Sequence, residues 1–277
     1  MKIFISADME GISGVTHRDQ IVPGTGEYDR GRKLLTRDVN AAIKGALEAG
    51  VDEILVNDSH GSMRNILIEE LHPAARLITG FPKPLLMMEG IDESFAGAVF
   101  IGYHAMAGAY GTLSHTISGA TFASVRINDK AYGETGLNAA VAGHFGIPLI
   151  AVSGDDCLKG EVLRDFPEAV YSEVKKAHGT MAVNCLSPAA AEELIAGNVA
   201  KAVSNISDYR PFVIEGPLQV DLVLKSNAIA DAVTLIPGVR RVSPAEVAYQ
   251  AADIVDAMRT ITAMMCASCI LAMDLYK

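Results

Sequence analysis

The first half of the chain alternates short apolar runs with longer segments in which apolar residues recur at helical spacing. Leu34, Leu35 and Val39 share one helical face, and Gly50 stands where a helix is expected to stop. Such alternation is typical of βα units, in which buried parallel strands are joined by crossover helices. Strands are predicted at 2–8, 52–60, 96–104 and 147–156, and helices at 28–49 and 136–146. We therefore predict an α/β fold with a largely parallel sheet flanked by helices.

The sequence after residue 156 lacks this regular alternation and indicates a second, smaller unit. The other predicted elements are a hairpin at 120–134, a helix at 188–203 and a strand at 211–224. The hairpin is expected because Asn128 and Asp129 supply turn residues between two strand-like runs. We expect a catalytic α/β domain over residues 1–180 and a smaller C-terminal α+β subdomain over residues 181–277.

Composition and charge exclude several classes of protein. A formal net charge of -10 argues against a nucleic-acid partner, because neutralising phosphates needs clustered Lys and Arg. The apolar stretch at 261–273 is well short of the roughly 20 residues that span a bilayer, so we predict no membrane partner. This stretch is instead predicted to be a core helix, with Cys266 and Cys269 as buried small side chains. By default, we expect a cytoplasmic location.

Residues that can bind a metal ion lie at the ends of four of the predicted strands. They are Asp8 and Glu10, Asp58 and His60, His104, and Asp155 and Asp156. The carboxyl ends of parallel strands lie at one edge of a sheet, where ligands gather. Each strand end alone has a structural alternative, because Asp often caps the helix that follows. Together, carboxylates and imidazoles without cysteine predict a site for zinc, manganese, cobalt or nickel, and a shared carboxylate suits two metal ions.

Two histidines stand out individually. His104 ends a very apolar run, where an imidazole without a partner would be costly to bury, and a ligand role removes that cost. His115 follows a glycine-rich loop and is a candidate general acid or base, since imidazole titrates near neutral pH. The alternative for His115 is an ordinary loop histidine.

Several short motifs resemble the DppA-type D-aminopeptidase family in their order and spacing. They are SADMEGISG at 6–14, VNDSHG at 56–61, GYHA at 102–105, SH at 114–115 and YGETGLNA at 132–139. The resemblance implies that the metal ligands are Asp8, Glu10, His60, His104 and Glu134. It further implies that His115 is the catalytic residue and that each subunit binds two zinc ions. Short peptides or amides with an N-terminal D-amino acid are the implied substrates, and a homodecamer is the implied assembly.

Two other functions fit parts of this pattern. A metal-dependent phosphatase also uses an acidic pair after its first strand. Magnesium prefers oxygen ligands, however, so a site built around His60 and His104 suits it poorly. A non-catalytic peptide-binding ring that keeps zinc for structure is the second alternative. In the predicted aminopeptidase, Asp8 bridges two metal ions that lower the pKa of a bound water toward about 7, and His115 assists.

Overall fold

The computed structural model describes residues 1–274 of the chain, with the side chains of residues 1–268. Within these residues the strands are β1 (Lys2–Ala7), β2 (Glu53–Asp58), β3 (Ala75–Ile78), β4 (Gly97–Tyr103), β5 (Phe122–Ile127), β6 (Lys130–Ala131), β7 (Leu149–Asp155), β8 (Val170–Gly179), β9 (Ala182–Cys185), β10 (Leu218–Leu224), β11 (Arg240–Ser243) and β12 (Glu246–Ala251). The helices are α1 (Gly26–Glu48), α2 (Glu134–His144), α3 (Asp156–Asp165), α4 (Pro188–Ser204), α5 (Asn227–Val233) and α6 (Ile254–Asp274). The four strands and two helices predicted for the first half are therefore present, with ends shifted by up to two residues.

The first sheet contains seven strands in the order β3-β2-β1-β4-β7-β8-β9. All neighbours in it are parallel except β8 and β9. The chain moves outward from β1 to β2 and β3, and then returns to β4 and β7 on the other side. The strand order thus reverses between β1 and β4, and the crevice outside their carboxyl ends is where open α/β sheets bind ligands. The predicted largely parallel sheet is confirmed.

The second sheet contains five antiparallel strands in the order β11-β12-β10-β5-β6. The predicted hairpin forms β5 and β6, and its turn residues Asn128 and Asp129 have φ of 48° and 66°. Both lie in the left-handed region that a tight hairpin turn requires. With α5 and α6 this sheet forms the smaller α+β part. The division after residue 180 stays a prediction, and the second sheet takes strands from both sides of it.

The two faces of the first sheet contribute to different hydrophobic clusters. Ile3 and Ile5 of β1 belong to a cluster with residues of α1 and α4. Phe4, which points to the opposite face, belongs to a cluster with α2, α6 and the second sheet. A Cβ at Gly45 of α1 would lie 2.2 Å from the carbonyl oxygen of Ala196 in α4, so only glycine permits this close helix contact. The sheet is therefore buried on both faces, as parallel sheets generally are.

The C-terminal strand prediction is only partly confirmed. A strand was expected over 211–224, but β10 begins at Leu218. Pro211 and Pro217 lack the N–H that a ladder hydrogen bond requires, which explains the late start. The predicted helix at 188–203 is confirmed as α4, and the hydroxyl of Ser187 accepts a hydrogen bond from the Ala190 N–H at its start.

The predicted apolar core helix at 261–273 is confirmed as the second part of α6. Ile261 and Met264 are fully buried. The expectation that Cys266 is buried was wrong, because this residue lies on the exposed face of the helix. Cys269 lies outside the described side chains. Among the described residues, no helix combines the length and the apolar character needed to cross a bilayer.

Candidate metal centre

Asp8 and Glu10 lie on a segment that crosses from the end of β1 over the end of β4. The Asp8 N–H donates to the Ile101 carbonyl at 2.8 Å. Gly102 has φ of 72°, and a Cβ there would lie 2.1 Å from the Asp8 carbonyl oxygen. Glycine at this position lets the two main chains approach closely. Both carboxylates are 2% exposed, so the crossing places two acids inside the protein.

His60 reaches these carboxylates from the loop after β2. Its Nδ1 lies 2.9 Å from Glu10 Oε2 and 3.2 Å from Asp8 Oδ1. Its Nε2 lies 2.8 Å from the Ile21 carbonyl oxygen, which can only accept a hydrogen bond. With Nε2 as the donor, Nδ1 of the neutral ring presents its lone pair to the cluster. Histidines that bind a metal ion commonly have their second ring nitrogen fixed in this way.

His104, at the end of β4, has the same arrangement with the ring nitrogens exchanged. Nδ1 lies 2.9 Å from the Ala105 carbonyl oxygen and donates to it. Nε2 lies 3.3 Å from Asp8 Oδ2 and 3.4 Å from Glu134 Oε2. Glu134 is the first residue of α2, and its other oxygen accepts from the Ile117 N–H at 2.6 Å. This side of the cluster is therefore as tightly oriented as the side around His60.

His115 stacks on His104, with ring centroids 4.2 Å apart and planes 15° from parallel. Its Nδ1 is 3.0 Å from the Leu113 carbonyl oxygen, so Nε2 is left to face Glu134 Oε1 at 3.7 Å. Its side chain is 24% exposed, whereas those of His104 and Glu134 are nearly inaccessible. Burial and the adjacent His104 ring lower the pKa of His115. The ring is therefore neutral near pH 7 and lies at the accessible side of the cluster.

The cluster contains two groups of ligand atoms that share Asp8. One consists of Asp8, Glu10 and His60, and the other of Asp8, His104 and Glu134; the ligand atoms of each lie within 4.8 Å of one another. The two oxygens of Asp8 face different groups, Oδ1 toward His60 and Oδ2 toward His104. A third combination joins Glu10, His104 and His115. A carboxylate placed between two ligand groups is the arrangement that bridges two cations.

The unsatisfied polar atoms of the cluster fit a bound cation. Asp8 Oδ2, Glu10 Oε2 and His104 Nε2 are buried and make no hydrogen bond to any described residue. Buried polar atoms without a partner are costly, and a metal ion would satisfy all three. Oxygen and imidazole nitrogen without thiolate match zinc and similar transition metals. The residues present therefore fit the predicted metal.

The electrostatics of the cluster lead to the same conclusion. Burial and the neighbouring Glu10 carboxylate raise the pKa of Asp8 to about 7. Burial lowers the pKa of His60 and of His104, but the facing carboxylates raise it further and leave it well above the usual range. Without a metal ion, Asp8 and the imidazoles of His60 and His104 therefore hold protons at close range. A divalent cation would displace these protons, so metal binding should release protons to solvent.

The acids at the ends of β2 and β7 accept hydrogen bonds that shape the local main chain. Asp58 accepts from the Asn65 N–H at 2.5 Å and from the Ile66 N–H at 2.7 Å, which shapes the loop that carries His60. Asp155 accepts from the Leu158 and Thr112 N–H groups at 2.9 and 2.8 Å. Asp58 and Asp155 were expected as possible ligands, but their oxygens are occupied by hydrogen-bond donors; Asp155 caps α3, and Asp58 holds the loop after β2.

Sequence reasoning missed two buried lysines next to the cluster. Lys83 Nζ donates to the Asp58 carbonyl at 2.7 Å, and Lys175 Nζ donates to three carbonyls of the segment after β1. Lysine is rarely buried without a specific partner. No pattern in the sequence marks these two, because their partners, which are main-chain oxygens and the Asn57 side chain, lie far away along the chain.

A carboxylate and imidazole cluster at the carboxyl edge of an α/β sheet is typical of metal-dependent hydrolases. The chain belongs to the D-aminopeptidase family, whose sequence model matches residues 1–263. A D-aminopeptidase from Bacillus subtilis (strain 168) is 38% identical over 268 residues, covering 95% of this chain and 96% of that protein. A solved structure, described as the Zn-dependent D-aminopeptidase DppA from Bacillus subtilis, a self-compartmentalizing protease, matches with a TM-score of 0.94 and 36% identity. That match covers 100% of both chains. The predicted family and the predicted class, a metal-dependent aminopeptidase, are confirmed.

Proposed function

We propose that this chain is a zinc aminopeptidase that hydrolyses short peptides or amides with an N-terminal D-amino acid. Asp8, Glu10, His60, His104 and Glu134 would hold two zinc ions per subunit, and His115 would be the catalytic residue. The observation that carries the proposal is the shared carboxylate, because Asp8 faces His60 with one oxygen and His104 with the other. The zinc dependence of the similar Bacillus subtilis structure supports the choice of metal.

The residues of the site have separate tasks in this mechanism. When bound, the two cations would polarise the scissile carbonyl and lower the pKa of a water molecule. His115 holds its proton at Nδ1 against the Leu113 carbonyl, so Nε2 is free to accept a proton from the attacking water. Protonated His115 can then donate that proton to the leaving amine. Its lowered pKa suits the first of these steps, since the neutral ring predominates near pH 7.

Metal analysis combined with a stereochemical assay tests the proposal. Protein freed of metal by a chelator and reconstituted with zinc should bind two equivalents. It should then hydrolyse a D-Ala dipeptide much faster than the matched L-Ala dipeptide. Less than one equivalent would exclude the metal site, and equal rates on the two enantiomers would exclude the D-specific function. Bound zinc without hydrolysis of either peptide would favour the non-catalytic ring.

The role of His115 is tested by substitution. His115→Ala should keep both zinc equivalents while lowering kcat by about a hundredfold or more, the usual loss for a general acid or base. His144→Ala is the matched control, because His144 is an exposed histidine at the end of α2. Unchanged activity in His115→Ala would remove this residue from the mechanism, and loss of one zinc equivalent would make it a ligand.

The assembly is proposed on different grounds. The similar Bacillus subtilis structure is that of a self-compartmentalizing protease and covers the whole of this chain, which supports a homo-oligomer here. The homodecamer and the cytoplasmic location remain predictions. Sedimentation equilibrium should give ten times the mass of the chain, and a monomer mass at micromolar concentration would contradict the assembly.

A further inference from the structure

The Nζ of Lys175 is fully enclosed beneath the segment that carries Glu10. Lys175 lies on β8 and is 2% exposed. Its ammonium group donates to the carbonyls of Glu10, of Ile12 at 3.1 Å and of Val15 at 2.7 Å. These three acceptors use all three N–H bonds of the group. No carboxylate of the described side chains lies within ion-pair distance of it, so main-chain oxygens alone satisfy its hydrogen bonds.

Two of these three carbonyls, those of Glu10 and Val15, accept from no other donor among the described residues, whereas the Ile12 carbonyl also accepts from the Val15 N–H at 3.2 Å. The segment from Asp8 to Val15 passes so close to β4 that a Cβ at Gly11 would lie 1.9 Å from the Tyr103 carbonyl oxygen. The Gly11 N–H donates to Gly102, and the Ser13 hydroxyl donates to Leu186 at 2.7 Å. Two donors of this segment thus pair outward, with Gly102 of β4 and with Leu186 just after β9, while three of its carbonyls turn toward one point. Buried carbonyls left without a donor would cost free energy.

A charged donor at this point lowers the stability of the fold unless the charge serves a specific purpose. Burying an ammonium group is unfavourable, and buried charges can often be replaced by apolar residues without loss of stability. The charged groups that act on Lys175 include Asp155, Glu10 and Asp38. Glu10 is the only one of these whose main chain it also binds. The contact therefore fixes the position of the Glu10 main chain and places a positive charge beneath it.

We propose that Lys175 is a positioning residue for the metal centre, which holds the 8–15 segment so that the Glu10 carboxylate faces His60. This inference rests on the proposed function, because it assigns a structural support to one of the two proposed cation sites. Lys175 contacts neither substrate nor metal. The site formed by Asp8, Glu10 and His60 should depend on it, whereas His104 and Glu134 have their own supports in the Ala105 carbonyl and the Ile117 N–H.

The test compares Lys175→Met with Lys159→Met. Methionine keeps the length of the lysine stem and removes all three donors. Lys159 is a partly exposed lysine of α3 that pairs with Glu173 on β8 at 3.0 Å, so the control removes an ammonium group near the same strand. Cobalt titration with a competing chelator measures both affinities, and the visible spectrum reports the ligand geometry. In Lys175→Met, one equivalent should weaken by roughly ten- to a hundredfold with an altered spectrum.

A second readout needs no metal. Hydrogen exchange of the metal-free protein should be about tenfold faster or more for amides of residues 9–15 in Lys175→Met, with β8 unchanged. If Lys175→Met fails to fold, Lys175→Gln, which retains two N–H donors, is measured in the same way. Wild-type cobalt affinities and spectrum together with wild-type exchange would overturn the proposal. Wild-type protein that binds less than one equivalent would instead overturn the proposed function, while the exchange comparison would still decide the role of Lys175.

Discussion

Two strands of the first sheet, β1 and β7, each have a pair of acids at their carboxyl ends, on the same edge of the sheet. After β1, Asp8 and Glu10 are buried, and one oxygen of each makes no hydrogen bond to a described residue. After β7, Asp155 is equally buried, but its oxygens accept main-chain N–H groups. Asp156 accepts from the Ala177 N–H at 2.8 Å. The two pairs occupy equivalent places in the sheet. The first pair has buried oxygens without a hydrogen-bond partner, whereas the second pair accepts main-chain hydrogen bonds.

The difference lies in what each pair faces. Asp8 is surrounded by His60, His104 and Glu134, whose ligand atoms point inward because their other polar atoms are fixed by main-chain groups. Asp155 faces main-chain donors instead, because it caps α3 through the Leu158 N–H and also accepts from the Thr112 N–H of another loop. Position at a strand end therefore marks a candidate residue, and unpaired oxygens opposite oriented imidazoles support the proposal that the residue is a metal ligand.

The largest effect is expected from Asp8→Asn. The substitution keeps the side-chain volume but removes the negative charge shared by both ligand groups and replaces one of the two acceptor oxygens with an amide nitrogen. We expect loss of both zinc equivalents at concentrations that saturate the wild type, and kcat/KM lower by on the order of a thousandfold. Elemental analysis measures the zinc content, and peptide hydrolysis measures kcat/KM. Retention of both equivalents would mean that the carboxylate is not shared between two cations.

Asp38 is a buried carboxyl group that is neither a proposed metal ligand nor a helix cap. Substitution of Asp38 should have the second largest effect. It lies on α1 and is 3% exposed, with Oδ2 unpaired. Among the described residues it belongs to no group of metal-capable side chains. Burial and the nearby Glu192 raise its pKa to about 8. A carboxyl group without imidazoles thus accommodates burial by holding a proton.

The sign of the resulting pH dependence follows from linkage. The folded-state pKa of Asp38 lies above the unfolded value, so the native state binds the additional proton between about pH 4 and pH 8. Stability should fall as pH rises through this window, by up to about 1.4 kcal/mol per pH unit from this group. Asp38→Asn should remove this pH-dependent contribution to the free energy of unfolding, and the variant should be more stable than the wild type at pH 9. Denaturant unfolding of metal-free protein measures it.

The control for Asp38→Asn is Asp29→Asn, which changes an exposed carboxyl group on the same helix. Its stability should follow the wild-type pH dependence. Parallel curves for Asp38→Asn and the wild type would show that Asp38 is ionised when buried. In that case the unpaired oxygen would need a cation or donor, and the distinction from the metal centre would weaken.

The parts of the fold that could be predicted are those with an unbroken hydrophobic pattern. The α1 stripe and the apolar runs of β1, β2, β4 and β7 are encoded locally, so periodicity was enough. β8 was missed because Glu173, Lys175 and Lys176 interrupt its pattern, and one of these lysines is buried for a reason that lies in another segment. β3 was missed because it is a four-residue edge strand with half-exposed side chains.

The candidate site shows the same limit. Asp8, Glu10, His60 and His104 follow strands of the first sheet, so the strand-end rule could find them. Glu134 begins α2 after a strand of the second sheet, and only the family resemblance marked it. The strand-end rule also selected Asp155, because an aspartate that caps a helix and an aspartate that binds a metal ion can both stand at the carboxyl end of a strand. Only the directions of neighbouring donors separate them, and these depend on the folded chain.

Asp155→Ala should have a smaller effect of a different kind. It leaves the Thr112 and Leu158 N–H groups without their acceptor, which should cost about 1–3 kcal/mol of unfolding free energy. Both zinc equivalents should be retained. Urea unfolding and elemental analysis on the same preparation separate the two effects. Loss of zinc at unchanged stability would reverse the roles assigned to the two acidic pairs.

The smallest effect is expected from Asp156→Ala. Asp156 is only partly buried and accepts one main-chain hydrogen bond, from Ala177, while standing in the first turn of α3. A single hydrogen bond and a favourable position near the helix N-terminus together suggest a loss of about 1 kcal/mol. Asp155, Asp156 and Cys157 bring ligand atoms within 4.8 Å of one another, so a third cation at this strand end is the competing hypothesis. Zinc titration decides between them: a drop of one equivalent in Asp156→Ala would make the second pair a metal site, whereas unchanged stoichiometry with a small loss of stability keeps it a helix cap.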